Sequence, residues 1–66
     1  MELVNLPQKW VDHLVALPES GMGYQRVDVT FDDGSIVKEC IVLNSEELNV
    51  PSSYTNKIIS DIKMSK

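Results

Sequence analysis

The glycine-rich stretch PESGMGYQ, residues 18–25, contains the residue types that can bind a phosphate through backbone amides. Phosphate-binding glycine loops follow a strand and open a helix, whose first amides then point at the anion. Here the order is reversed, because a helical pattern precedes Gly21 and Gly23 and a strand pattern follows them. We therefore interpret the stretch as a helix-to-strand connection in which glycine supplies unusual backbone angles.

The single histidine, the single cysteine and the paired aspartates form no constellation for catalysis or metal binding. His13 falls on the polar side of a predicted helix, without the three or four ligands that a zinc site needs. Cys40 lies in a strand pattern, where a small buried hydrophobic residue is its usual role. Asp32 and Asp33 are typical turn residues. The sequence predicts a protein that is not an enzyme and that holds no metal or cofactor.

Length, charge and cysteine content limit the class of protein further. The chain has 66 residues, which is enough for a single small domain covering residues 1–66. Its net charge of −4 disfavours nucleic acid as a partner, and no apolar run approaches the ~20 residues that span a bilayer. One cysteine forms no internal disulfide, which favours a reducing compartment. We expect a cytoplasmic protein with no membrane partner.

An amphipathic helix is predicted at about residues 7–17. Trp10, Leu14 and Leu17 recur at helical spacing along one side, and Pro18 ends the pattern. Asn5 followed three residues later by Gln8 resembles a capping box. A helix this short must bury its Trp10 stripe on another element.

A hairpin is predicted from strands at about residues 24–32 and 35–43, because Asp33-Gly34 separates two strand patterns. A two-residue turn pairs Val27 with Cys40, whereas a three-residue loop pairs Val29 with Val37. A bulge near residues 38–39 reconciles the two registers. The second strand is apolar on both faces, which predicts that it lies in the centre of the sheet.

The last third of the chain predicts a short strand at residues 47–50 and another at about 57–64. Pro51 ends the first of these. Ile58, Ile62 and Met64 fit one strand face, although Ile58, Ile59 and Ile62 also suit a helix. We favour the strand, because isoleucine is β-branched. The predicted core contains residues from the helix and from the three longer strands: Trp10, Leu14, Val27, Val29, Phe31, Ile41, Ile58 and Ile62.

The stretch VDVTFDDGSIVKECIVLN, with a helix before it, resembles the first half of the Sm-like fold, and more generally the SH3-like small β-barrels. That family has an N-terminal helix and a strongly bent antiparallel barrel, and alternating apolar residues run into an Asp-Gly turn, as in Val27, Val29, Phe31, Asp33 and Gly34. Leu48 to Val50 is similar to the family's RNA-contact triplet, with Asn49 as the polar member. The resemblance implies RNA binding, although SDIK stands where the family has its Arg-Gly motif. The chain also resembles small bacterial proteins built on this plan.

Together these patterns predict an α+β fold, in which the helix packs on a small, strongly curved antiparallel sheet of about three to five strands that can close into a barrel. The predicted function is a small non-catalytic interaction module that binds a protein partner or a second copy of itself. The alternative is an Sm-like or SH3-like nucleic-acid-binding protein. Met22 and Tyr24 are candidate interaction residues because they are large and lie in or beside a loop. Asn49, from the resemblance, and Ile59, on the last strand, complete the set.

Overall fold

The computed structural model describes residues 1–65 and consists of one antiparallel five-stranded sheet and one α-helix. The elements, in chain order, are β1 (Glu2–Asn5), α1 (Gln8–Val15), β2 (Tyr24–Phe31), β3 (Ile36–Leu43), β4 (Glu47–Val50), a 3-10 helix (Ser52–Tyr54) and β5 (Ile59–Met64). The strand order is β1-β4-β3-β2-β5. The fold is α+β in class. Within residues 1–65 the sheet is not closed into a barrel, so β1 and β5 each have one unpaired edge.

A first strand precedes the helix, and the predicted capping box is wrong. Asn5 belongs to β1 and pairs with Glu47 of β4. The helix therefore begins only at Gln8, after Pro7, and no side chain caps its first turn. Proline has no backbone N–H to donate and its fixed φ suits the entry to a helix, which explains the position of this boundary.

The predicted hairpin combines both of the registers that the sequence allows. Val27 pairs with Cys40, and Val29 pairs with Val37, so β3 carries one extra residue between the two pairs. The predicted bulge near residues 38–39 is confirmed, and Glu39 adopts a positive φ of 56° there. Bulges add twist to a strand without breaking its pairing on either side. As a result Val37 and Cys40 both point toward the buried face of the sheet.

The C-terminal segment is a strand, as the β-branched residues indicated, and it also contains an irregularity. Thr30 pairs with Asp61 and Phe31 pairs with Ile59, which leaves Ser60 as an extra residue on β5. Ile59 therefore packs against the core beside Ile62. The prediction that Ile58 belongs to the core is wrong, because this side chain lies before the strand and is 68% exposed.

One face of the sheet, here called the inner face, carries the hydrophobic core, and α1 packs on it through Trp10 and Leu14. The buried core residues come from α1, the segment before it and all five strands except β1: Leu6, Trp10, Leu14, Val27, Val29, Phe31, Cys40, Val42, Leu48, Val50 and Ile62. Because side chains alternate along a strand, Ile41 lies on the opposite, outer face and is only half-buried, contrary to its predicted place in the core.

The only buried polar side chain within residues 1–65 is Gln25, which joins the helix to the sheet. Gln25 is 1% exposed and precedes Val27 on the inner face of β2. Its Nε2 donates to the carbonyl oxygen of Leu14 at 2.8 Å and lies 3.3 Å from that of Leu17. Its Oε1 accepts from the Ser45 hydroxyl at 3.2 Å. Carbonyls at a helix C-terminus lack intrahelical donors, so this amide acts as a cap supplied by the sheet.

We expect the substitution Gln25→Met, which keeps length and removes the hydrogen bonds, to lower the free energy of unfolding by about 1–3 kcal/mol. The reason is that the helix carbonyls lose a donor inside the core. Urea denaturation followed by circular dichroism measures the loss. Thr30→Val, on the outer face of the same strand, is the control and should stay within about 0.5 kcal/mol of the wild type. Equal stability of Gln25→Met and wild type would show that packing alone holds the helix.

Candidate interaction surfaces

The outer face of the sheet carries an apolar strip that α1 does not cover. Ile41 and Leu43 form its centre, on strand β3. The register places Arg26 beside Ile41 on one side and Glu47 beside Leu43 on the other. Tyr24 pairs with Leu43 and extends the strip onto β2. The apolar residues are half-buried and the two charges flank them, so the strip has polar borders.

Three of the four predicted interaction residues lie on this face or next to it. Tyr24 and Asn49 project from it, and Asn49 pairs with Leu3, a β1 residue that is 51% exposed. Met22 is 100% exposed in the loop that leads into Tyr24. Ile59 is separate from the other three, because the irregularity in β5 turns it toward the core. The structure therefore brings Tyr24 and Asn49 to one face and places Ile59 elsewhere.

The glycine loop is occupied by contacts from within the chain. The Gly23 amide, at a φ of 77°, donates to the carboxylate of Glu19 at 3.1 Å. A Cβ on Gly21 would lie 2.3 Å from Cε1 of Tyr24, so a larger residue at that position would displace the tyrosine ring. The amides of Ser20 and Gly21 both donate to the Tyr24 carbonyl. The loop therefore reverses the chain direction and positions Tyr24. The amide of Gly23 is already hydrogen-bonded to the carboxylate of Glu19.

A second surface is a cleft of about 290 Å³ where the two ends of the sheet approach each other. We call it the seam cleft. Its walls come from β1, from the start of α1 and from the segment that leads into β5: Val4, Asn5, Leu6, Pro7, Lys9, Trp10, Thr55, Lys57, Ile58 and Ile59. Ile59, the fourth predicted interaction residue, is part of this wall. The helical periodicity placed Trp10 in the core and did not indicate that it also lines a cleft. No sequence pattern indicates that Lys9 and Lys57 line the same cleft.

The carboxylate of Asp28 stabilises the bulge in β3. It accepts from the Glu39 backbone amide at 3.0 Å and from the Ser65 hydroxyl at 2.5 Å. The hydrogen bonds from Ser65 and Glu39, with a smaller contribution from the Lys38 charge, hold the pKa of Asp28 below its usual value. A two-residue turn without the bulge would place Asp28 opposite Glu39, where two carboxylates repel each other. The bulge avoids this repulsion by offering a backbone donor instead of a second carboxylate.

The reactive groups of the chain take structural roles. The Cys40 thiol is buried and lies 3.6 Å from the Val37 carbonyl oxygen. Burial, and secondarily the Asp28 charge, raise the pKa of Cys40, so the thiol stays protonated near neutral pH. A cysteine nucleophile requires the opposite shift. Within residues 1–65 no three His, Cys, Asp or Glu side chains are close enough to hold a metal ion.

The described helix is also too short to cross a membrane. Comparisons of the chain with protein-family models, with curated proteins and with solved structures found no match in any of the three. The function is therefore proposed from the surfaces of the protein.

We expect acid to destabilise the wild type more than Asp28→Asn. A carboxyl group whose pKa falls on folding stabilises the fold above its unfolded pKa of about 3.9, and this contribution is lost as pH falls through the folded pKa. Solvent screens the partly exposed carboxylate, so the difference between pH 7 and pH 3 should be less than about 1 kcal/mol. Asparagine keeps an oxygen acceptor for Glu39 but does not titrate.

Urea denaturation at several pH values measures this difference. Asp12→Asn, an exposed residue of the helix, is the matched control for the loss of one carboxylate. Identical pH profiles for Asp28→Asn and wild type would remove Asp28 from the acid response.

Proposed function

We propose that the protein is a small non-catalytic interaction module that self-associates through the outer face of its sheet. The observation that carries this proposal is the apolar strip on β3, where Ile41 and Leu43 face away from the core. Ile41 and Leu43 lie outside the hydrophobic core cluster and are only half-buried. A central strand that is apolar on both faces is stabilised when both faces are covered. A second copy supplies the missing layer, as in a two-layer sandwich.

Charge complementarity favours a second copy over an unrelated partner. Arg26 and Glu47 lie diagonally across the strip, one beside Ile41 and the other beside Leu43. A two-fold axis between the paired faces, perpendicular to the line from Arg26 to Glu47, sets each arginine against the glutamate of the other copy. Interfaces of this kind are self-complementary, because the same patch serves both subunits.

The proposed dimer is weak. The strip is narrow, and both copies carry a net charge of −4, so long-range repulsion opposes their association. The exposed side chain of Leu3, at the edge of the same face, adds apolar area to the contact. Salt screens the net repulsion as well as the Arg26–Glu47 attraction, so dimerisation is expected to depend only modestly on ionic strength.

The alternative proposal is binding of single-stranded nucleic acid on the same face. It is supported by the projection of Tyr24, Arg26 and Asn49 from one side of the sheet, which offers a stacking ring, a cation and an amide. The excess of acidic residues over basic ones opposes it. Retention on a heparin column that falls steeply with salt would favour nucleic acid, whereas flow-through at low salt favours the protein module.

We expect Arg26→Glu and Glu47→Arg each to weaken self-association about tenfold, because each replaces two attractive contacts in the dimer with two repulsive ones. An equimolar mixture of the two variants should associate as strongly as the wild type, since every contact in the mixed dimer then joins opposite charges. Sedimentation equilibrium across a wide concentration range measures all four samples.

Lys9→Glu is the control for Arg26→Glu, because it makes the same change in net charge at the seam cleft, away from the proposed interface, and should leave the dimer unchanged. A wild type that stays monomeric at high micromolar concentration contradicts the proposal. A mixture that associates no better than its components contradicts the assigned orientation of the two copies.

A further inference from the structure

The seam cleft lies between two strand edges at which backbone N–H and C=O groups point away from the neighbouring strand. The Leu6 amide donates to Glu46, so Leu6 faces β4 and the neighbouring Asn5 directs its amide and carbonyl to the free edge. On the other side the Asp32 amide donates to the Ile58 carbonyl, so Ile59 directs its backbone to the free edge of β5. Asn5 and Ile59 both line the cleft. Its two walls are therefore open to strand addition.

The edge of β5 is already occupied at its far end. Nε2 of His13 donates to the Ile62 carbonyl oxygen at 2.9 Å, and His13 in turn contacts the Trp10 ring edge-on. Ile62 pairs with Val29 as a non-hydrogen-bonded pair, so this carbonyl points away from β2. His13 of the helix thus occupies one end of the free edge of β5. The end at Ile59 stays open, which limits an added strand to a few residues.

The charges that line the cleft are all positive. The chain carries ten acidic and six basic residues, yet the cleft contains Lys9 and Lys57 and no carboxylate. Lys57 forms an ion pair with Asp33 of the hairpin loop, which lies outside the cleft. Lys9 forms no ion pair within residues 1–65, and its Nζ lies 4.9 Å from the centre of the Trp10 ring. Leu6, Trp10 and Ile59 supply the apolar surface between the two cations.

We propose that the seam cleft binds a short extended peptide segment in which carboxylates flank an apolar side chain. The peptide backbone pairs with the open edge at Asn5 or Ile59, as in other cases of strand addition. Its apolar side chain packs against Trp10, and its carboxylates lie near Lys9 and Lys57. Free backbone edges select a polypeptide over a small carboxylic acid, and Lys9, which forms no ion pair within residues 1–65, selects an acidic one.

The probe is the blocked pentapeptide acetyl-Ser-Glu-Leu-Glu-Ser-amide, titrated into isotopically labelled protein and followed by amide and indole NMR signals. We expect saturable shifts at Asn5, Ile59 and the Trp10 indole. Two matched peptides serve as controls: one with lysine in place of both glutamates, and one with an N-methylated leucine that removes a backbone donor. Both should bind at least about tenfold more weakly.

Lys9→Glu should weaken binding of the probe about three- to tenfold, whereas Lys38→Glu, outside the cleft, should leave it unchanged. The Arg26→Glu variant should bind the peptide as the wild type does, so failure of the proposed dimer leaves this test intact. No saturable shift at millimolar peptide, equal binding of the lysine or N-methylated peptide, or equal shifts from hexanoate alone would each overturn the proposal.

Discussion

A single helix of eight residues can cover only part of a five-stranded sheet, and the rest of the molecule is arranged around that limit. At 1.5 Å per residue the helix is about 12 Å long, whereas five strands span about 19 Å between the outermost axes. It therefore packs on only part of the inner face, through Trp10 and Leu14. The Gln25 amide joins its C-terminal end to the sheet by donating to the Leu14 carbonyl, which also accepts from the Leu17 amide.

Apolar residues in β3 and β5 do not alternate strictly, and one extra residue in each strand brings them to the core on the inner face. In β3 the extra residue lets Val37 and Cys40 both face inward, and Asp28 stabilises the distorted backbone through the Glu39 amide. In β5 the extra residue Ser60 turns Ile59 inward beside Ile62. Each irregularity buries an apolar side chain that strict alternation would expose. That gain offsets the cost of an unpaired backbone position.

Period-two alternation was sufficient to predict the hairpin, its bulge near residues 38–39 and most of the core, because those features depend on neighbours in sequence. Features that depend on distant partners were not predictable. Glu2–Asn5 is too short to be recognised as a strand without its partner β4, and this hid the true start of the helix. Gln25 shares the spacing of Val27 and Val29, but its side chain is polar, and the sequence pattern did not place it in the core. Only the folded structure shows that the helix carbonyls meet it.

The candidate site was predictable to a similar extent. Tyr24 and Asn49 lie on the outer face because each is next in sequence to a residue whose side chain is buried on the inner face. This alternation depends only on neighbouring residues. The seam cleft joins Asn5, Lys9 and Ile59, which come from opposite ends of the chain and meet only through the strand order. No spacing rule connects residues so far apart in sequence.

The two surfaces differ in charge pattern, and this difference separates their proposed roles. The outer face carries Arg26 and Glu47 on opposite sides of its apolar strip, so two copies of it can pair without bringing like charges together. The seam cleft carries Lys9 and Lys57 and no carboxylate, so two copies of it would bring lysines against lysines. Since like charges in contact disfavour association, we assign the proposed self-pairing to the outer face and the proposed acidic ligand to the cleft. In an acidic chain, the exclusion of carboxylates from the cleft is the feature that most clearly distinguishes it from ordinary surface.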